Sequence, residues 1–340
     1  MKYRLLLILC LCFSMVSAKD KELKVLQFNI WQEGSIIENG FDMIVDEILR
    51  LEADIVTFSE VRNYNHTRFN DRIVEALAQK GKTFYSFYSY DSGILSRFPI
   101  ISTETIFPEK DDKGSLYKAK VDFKGRTIAV YTAHLDYKHA ANYLSRGYDG
   151  STWKKLAKPV VNADSILADN AKSMRETAIA LFIDDAKREI KNGNLVILGG
   201  DFNEPSHKDW TTNAKHLYDR KVAVHWPVTS LLENAGFTDA YRLKYPDAIN
   251  YPGITFPVFN PDVEFKKLVW APTSDDRDRI DYIFFSPLPF VKLKDIVLVG
   301  PEESIAFNKV VPKLSKDKII LPINGWPTDH MAVLATFTVD

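Results

Sequence analysis

The sequence predicts an α/β fold whose strands end on polar side chains, and three observations predict it. Leu195-Val196-Ile197-Leu198 is a short, continuous, partly β-branched apolar run, the pattern of a strand covered on both faces. It leads into Gly199-Gly200-Asp201-Phe202-Asn203, and the same grammar, an apolar run joined to Asn, Glu, His or Asp, recurs along the chain. Between those runs, apolar residues repeat at helical spacing.

Residues 24–31 alternate as a strand and carry Asn29 near its end. Phe41, Ile44, Val45, Ile48 and Leu51, with Asp42, Asp46, Glu47 and Arg50 between them, form the stripe of an amphipathic helix. Residues 53–60 are an apolar strand closing on Glu60, and Asn70 or Asp71 caps a second helix with Ile73, Val74 and Leu77. Residues 84–88 read equally as a core strand and as an exposed aromatic hairpin. Residues 128–135 form a strand ending at His134. The following stretch, 136–172, is longer than most structureless connections. Its Tyr137, Tyr143, Arg146, Tyr148 and Trp153, with Gly147 and Gly150, suit equally a surface loop with its own small apolar cluster and a loop that walls a pocket, the latter making Arg146 and Tyr148 candidate substrate contacts.

Met174, Ala178, Leu181, Phe182 and Ile190 predict a third helix before the Gly-Gly strand. Without a Cβ, Gly199 and Gly200 let the backbone turn sharply or approach a ligand closely. A second elaboration spans 250–278, and its run Asp275-Asp276-Arg277-Asp278 reads as a solvated face. Residues 279–285 place Asp281 inside an apolar strand, and residues 327–333 place Asp329-His330 just before one.

A polar group buried without a partner costs a few kcal/mol, so these strand-linked positions are expected to converge on one site. The set resembles the endonuclease/exonuclease/phosphatase superfamily, whose members include pancreatic-type deoxyribonucleases and bacterial sphingomyelinases. The resemblance extends from Val25 to Phe337 and includes Ser92-Gly93-Ile94-Leu95-Ser96-Arg97-Phe98-Pro99, which looks like the family's central strand followed by Arg-x-Pro. It implies a four-layer sandwich: two mixed β-sheets packed face to face, with helices outside. It also implies a metal near Asn29 and Glu60, with Asp329 helping to hold the same ion or a second one. Hard cations take oxygen ligands, so Mg²⁺ is expected, with Mn²⁺ as a substitute, and no closely spaced His/Cys set points to zinc. By the same resemblance Asp201 orients or deprotonates the attacking water, and Asn203 positions it or binds a phosphate oxygen. His134 and His330 flank the phosphoryl group. Asp281 hydrogen-bonds one of the histidines, His330 by preference, and His330 serves as general base or as a cationic phosphate clamp.

Composition narrows the rest. Residues 1–18 have Lys2 and Arg4, an apolar run and Val16-Ser17-Ala18, the layout of a secretory signal, so residues 19–340 are expected as a single catalytic domain, secreted or periplasmic. Both cysteines, Cys10 and Cys12, fall inside that signal, which leaves no disulfide or thiolate chemistry for the mature chain. Loss of Lys2 and Arg4 takes the formal net charge from −1 to about −3. No basic tract or transmembrane run stands out, which disfavours a dedicated nucleic-acid binder. The sequence therefore points to a secreted, Mg²⁺-dependent phosphodiesterase acting on a small-molecule or lipid-headgroup phosphoester. A secreted endonuclease and a catalytically inactive binding protein on the same fold are the alternatives. Oligomeric state is not legible.

Overall fold

The computed structural model describes residues 21–340; the expected signal, with Cys10 and Cys12, lies outside them. In chain order the elements are β1 (Lys21–Asn29), α1 (Gly40–Leu51), β2 (Ile55–Val61), α2 (Phe69–Gln79), β3 (Tyr85–Ser86), β4 (Asp91–Ser96), β5 (Ile100–Phe107), β6 (Gly114–Phe123) and β7 (Arg126–Leu135). Then come α3 (Ala163–Asn170), α4 (Arg175–Lys191), β8 (Leu195–Asp201), α5 (Pro227–Asn234), β9 (Thr238–Asp239), α6 (Ala240–Lys244) and β10 (Asp281–Phe285). The last are β11 (Val291–Val299), β12 (Glu303–Ala306), β13 (Lys309–Pro312), β14 (Ile319–Ile320) and β15 (Ala332–Val339).

Two mixed sheets carry the architecture. One has the order β14-β11-β15-β1-β2-β4-β3 and the other β5-β6-β7-β8-β10-β9, while β12 and β13 form a separate hairpin. β1 runs parallel to β2, and β7 parallel to β8. Asp91–Ser96 lies one strand in from a sheet edge rather than at the centre that the resemblance implied.

Side-chain alternation explains the layers. In β2, Thr57 and Ser59 point at the second sheet, whereas Phe58 points outward and meets Phe69 of α2 edge-on at 5.2 Å. Ile44 and Ile48 of α1 and Ile73 and Leu77 of α2 are fully buried in the same core as Val25, Val130 and Ile197. Ala178, Ile179, Phe182 and Ala186 of α4 and Val228 and Leu232 of α5 cover the far side of the second sheet through Ala129, Tyr131, Val196 and Leu198. The result is helix, sheet, sheet, helix. Each buried side chain of this size contributes about 1.5–3 kcal/mol.

The glycine pair has a different use from either one expected. Both residues lie inside β8, and a Cβ on Gly199 would sit 2.1 Å from Thr57 Oγ1 of the opposing sheet. A Cβ on Gly200 would sit 2.4 Å from the Ala133 carbonyl. Gly199 lets the two sheets approach closely where the polar strand ends meet, and Gly200 clears the backbone of the neighbouring strand β7 in its own sheet.

Three other expectations change. Helix α2 starts at Phe69, ahead of Asn70 and Asp71, because Asn63 Oδ1 accepts from the Phe69 N–H at 2.7 Å and caps the helix from outside. The stretch 136–172 is not structureless: it holds a 3-10 helix, Ala141–Arg146, and α3. Residues 84–88 divide between the two readings, with Phe84 buried and Tyr85 and Tyr88 exposed beside the short edge strand β3. No described helix is long and apolar enough to cross a membrane.

Candidate active site

Strand register builds the site. In the second sheet His134 pairs with Asp201, and Asp201 pairs with Asp281, so three neighbouring strands set an imidazole and two carboxylates in one row. In the first sheet Asn29 pairs with Ser59. The Ser59 hydroxyl bridges the sheets, donating to the Ala133 carbonyl at 3.0 Å and accepting from the Asp201 N–H at 3.1 Å.

Asp201 is the hub. Asn29 Nδ2 donates to its Oδ2 at 2.9 Å, and the Asn203 N–H donates to its Oδ1 at 2.9 Å. His134 Nε2 and His330 Nε2 stand 4.0 and 3.8 Å from the same Oδ2. Burial, reinforced by the charge of Asp281, pushes the Asp201 carboxyl up to about 6. Asn203 adopts a left-handed backbone (φ 50°), which turns its amide back to donate to the Leu135 carbonyl at 2.9 Å.

Each histidine has its own acid. His330 Nδ1 lies 2.9 Å from Asp281 Oδ2, the pairing the sequence favoured. His134 Nδ1 lies 3.0 Å from both oxygens of Asp91. Burial alone would lower both histidines, but the adjacent carboxylates outweigh it, raising His330 to about 10 and His134 to about 9. Sequence reasoning missed Asp91. It heads β4, directly before the Ser92-Gly93 run, and an acid at a strand end was the available signal.

Glu60 occupies a β-bulge between Ser59 and Val61, with φ of 70°, and the bulge turns its carboxylate out of the sheet. Its Oε2 accepts from the Gln32 N–H at 3.0 Å and from Arg62 Nη2 at 2.9 Å. Arg62 also reaches Asp91 at 3.4 Å. Glu60 and Asp329 line the same cavity of ≈ 600 Å³ as His134, Asp201, Asn203 and His330.

The candidate substrate contacts separate. Tyr137, Tyr143 and Trp153 line that cavity; Arg146 and Tyr148 do not. The Arg146 side chain is fully buried, its guanidinium donating to Asp278 Oδ2 at 2.6 Å and to the carbonyls of Asp275, Tyr218 and Arg277. Tyr148 is buried against Ala140 and Ala271, with its hydroxyl 2.8 Å from Thr273 Oγ1. Both are therefore corrected from ligand contacts to supports of the loop. The same finding overturns the solvated reading of the charge run: Asp275, Asp276 and Asp278 are all buried, and Asp278 also receives Trp210 Nε1 at 2.9 Å and Asn142 Nδ2 at 3.1 Å.

Residues 26–330 match the Endonuclease/Exonuclease/phosphatase family. The chain belongs to that family. A Caenorhabditis elegans relative, "Uncharacterized protein F14F9.5", is 27% identical over 344 residues, covering 99% of this chain and 98% of the relative. D. rerio TDP2, solved as a complex with a single-strand DNA product, matches with a TM-score of 0.51 at 18% identity, over 94% of this chain and 100% of that one. The human Nocturnin catalytic domain, with a bound sulfate anion, matches with a TM-score of 0.51 at 14% identity, over 95% and 97% of the two chains. At these identities the structural likeness speaks for the endonuclease/exonuclease/phosphatase fold.

Members of the endonuclease/exonuclease/phosphatase family hydrolyse phosphoesters, generally with a divalent metal ion. The donor set here fits one. Asp329 is buried beside the Glu60 carboxylate, and burial raises its carboxyl to about 7, with the charge of Glu60 adding to the effect. Two carboxylates that repel across a cavity wall suit a hard cation. Asp201, Asp281 and His330 also come within 4.8 Å of one another, but Asp201 Oδ2, Asp281 Oδ2 and His330 Nδ1 are already engaged in the bonds above.

Proposed function

We propose that this chain is a divalent-metal-dependent phosphodiesterase that attacks a small-molecule or lipid-headgroup phosphoester with an activated water. The observation that carries this reading is the convergence of His134, His330 and Asn29 on Asp201 Oδ2 at the wall of the cavity that Glu60 and Asp329 share. Asp91 and Asp281 accept the Nδ1–H of the two histidines and, outweighing burial to raise them to about 9 and 10, keep both protonated on each ring nitrogen at neutral pH, so each imidazolium offers Nε2–H to a phosphoryl oxygen. That arrangement favours the clamp role for His330. Asp201, held between the two imidazoles, orients the water and accepts its proton. Glu60 and Asp329, with Asn29 beside them, would hold the metal, which supplies positive charge for the oxygens of the reacting phosphate. We expect Mg²⁺, with Mn²⁺ as a substitute.

A nuclease is the second reading, and the single-strand DNA product bound to D. rerio TDP2 is its basis. Against it stand the formal net charge of −1 and the cavity's own Glu109 and Asp112, which would repel a polyanion. We also infer export, with cleavage after Ala18; mass spectrometry of the exported chain would find Lys19 first, and an intact Met1 would end that inference.

The test is residues 19–340 with Mg²⁺ or excess EDTA, offered bis-p-nitrophenyl phosphate, p-nitrophenyl phosphate and plasmid DNA. Diester cleavage that EDTA stops and that Glu60→Gln lowers about 100-fold is expected. Full activity in EDTA, or in the variant, removes the metal assignment; plasmid nicking that outpaces the diester moves the second reading to first.

A further inference from the structure

Part of the cavity's lining is built from different chemistry. Tyr143, Trp153 and Trp270 line it, with Trp153 edge-on to Tyr143 at 5.0 Å and Trp270 tilted over Trp153 at 4.8 Å. Three aromatic rings from two separate insertions, 136–172 and 250–278, thus meet as one wall. Trp270 remains 42% exposed, a large apolar ring held open at a cavity rather than packed away.

Asp276 lines the same cavity. It is 2% exposed, and its Oδ2 has no hydrogen-bond partner among the described residues. The nearby cations are engaged elsewhere. Arg146 is bound to Asp278 at 2.6 Å and to three backbone carbonyls, and Arg277 is bound to Asp275 at 2.7 Å. Among the described lining residues Arg62 alone carries a guanidinium or ammonium, and it pairs with Glu60 and Asp91. A buried carboxylate oxygen with no donor is costly unless something fills the position. A donor that comes from the cavity and fits against the aromatic faces would fill the position, and a cationic one would also answer the carboxylate's charge.

We propose that this aromatic and acidic part of the cavity wall is a subsite for an organic ammonium group, quaternary or primary, carried by the phosphoester. Ring faces attract such a cation through their quadrupoles, and a carboxylate beside them supplies the countercharge. The subsite rests on the phosphodiesterase reading above and deepens it: the phosphate sits among His134, His330 and Asp201, and the ammonium group reaches Asp276. The same headgroup chemistry occurs in soluble esters and at lipid surfaces.

The probes are choline and its uncharged isostere 3,3-dimethylbutan-1-ol, titrated into the protein and followed by tryptophan fluorescence. Choline is expected to bind at least about tenfold more tightly than the isostere. Asp276→Asn and Trp270→Ala should each weaken choline binding, and Trp270, being exposed, can be truncated without loss of the fold. Equal binding of the two probes, or choline binding that neither variant changes, overturns the subsite. Turnover is measured alongside on bis-p-nitrophenyl phosphate, glycerophosphocholine and phosphatidylcholine vesicles. A protein that discriminates choline but cleaves no diester refutes the phosphodiesterase reading and keeps the subsite. One that cleaves the plain diester without discriminating choline does the reverse. Preference for glycerophosphocholine or for the vesicles identifies the soluble or the lipid source; neglect of both, with the plain diester cleaved, refutes an ammonium-bearing substrate.

Discussion

Asp281 never has to touch the phosphoester to matter. It holds His330 through Nδ1 at 2.9 Å, is itself buried, and receives Gln27 Nε2 at 3.5 Å. Asp281→Asn keeps the shape and removes the charge, so it should lower kcat about 100-fold while the melting temperature moves little. A melting shift large enough to account for the lost rate would make Asp281 a structural acid only. Arg146 gives the opposite profile. Truncating it removes the nearest cation from buried Asp278, leaving Arg220 at 3.5 Å, and Arg146→Ala should cost about 3 kcal/mol in urea unfolding. Unchanged stability with weakened substrate affinity would restore it as a ligand contact. The site residues were legible because Asn29, Glu60, His134, Asp201, Asp281 and His330 each interrupt or close an apolar run, where a polar side chain needs a reason. Arg146 misled because its loop shows aromatic and basic residues whose partner, Asp278, lies far along the chain; nothing in the neighbouring residues shows that this arginine already has an acid to hold.

At the scale of elements, the strands and the α1 and α4 helices follow from periodicity, while the use made of β8 does not. A glycine pair reads as a turn from its neighbours alone, and only the opposing sheet shows that Gly199 is a thin place in a wall. Gly199→Ala should therefore destabilise the protein by about 1–3 kcal/mol, since the new methyl group would fall on Thr57. Circular dichroism melts of that variant against Gly193→Ala separate crowding from backbone effects: a Cβ at Gly193 meets nothing within 4 Å, but its φ of 79° carries strain of its own. A Gly199→Ala protein as stable as the parent would remove the contact explanation. The charge run at 275–278 was misread for a similar reason. Charges default to solvent unless partners are in view, and here they come from the 3-10 helix at Ala141–Arg146 and from Trp210. The bulge at Glu60 and the acid behind His134 also depend on β4 lying beside β2, which a single sequence does not state.

For the molecule as a whole, a buried ionic centre should govern acid stability. Asp209 accepts from Arg242 Nε at 2.6 Å and from Arg279 Nε at 2.9 Å. Burial works against its charge, but Arg242 and Arg279 outweigh burial and hold the carboxyl down at about 2. The unfolded chain thus binds more protons than the native one between the ordinary carboxylate range and about pH 2, and stability falls as the pH is lowered through that window. The loss should reach about 2 kcal/mol. Urea midpoints at pH 5, 4, 3 and 2 check it, and Asp209→Asn should flatten that part of the curve; an identical slope in the variant assigns the acid loss to other carboxyls. The pairing of β1 with β15 has a plain consequence for handling this protein. Lys21 lies opposite Val339, whereas Asn29, at the far end of β1, and His330, just ahead of β15, belong to the reactive end. The length of β1, about 26 Å at roughly 3.3 Å per residue, separates the two poles. A bead, dye or carrier joined ahead of Lys21 or after Asp340 would hang from the back of the molecule and leave the mouth facing the medium.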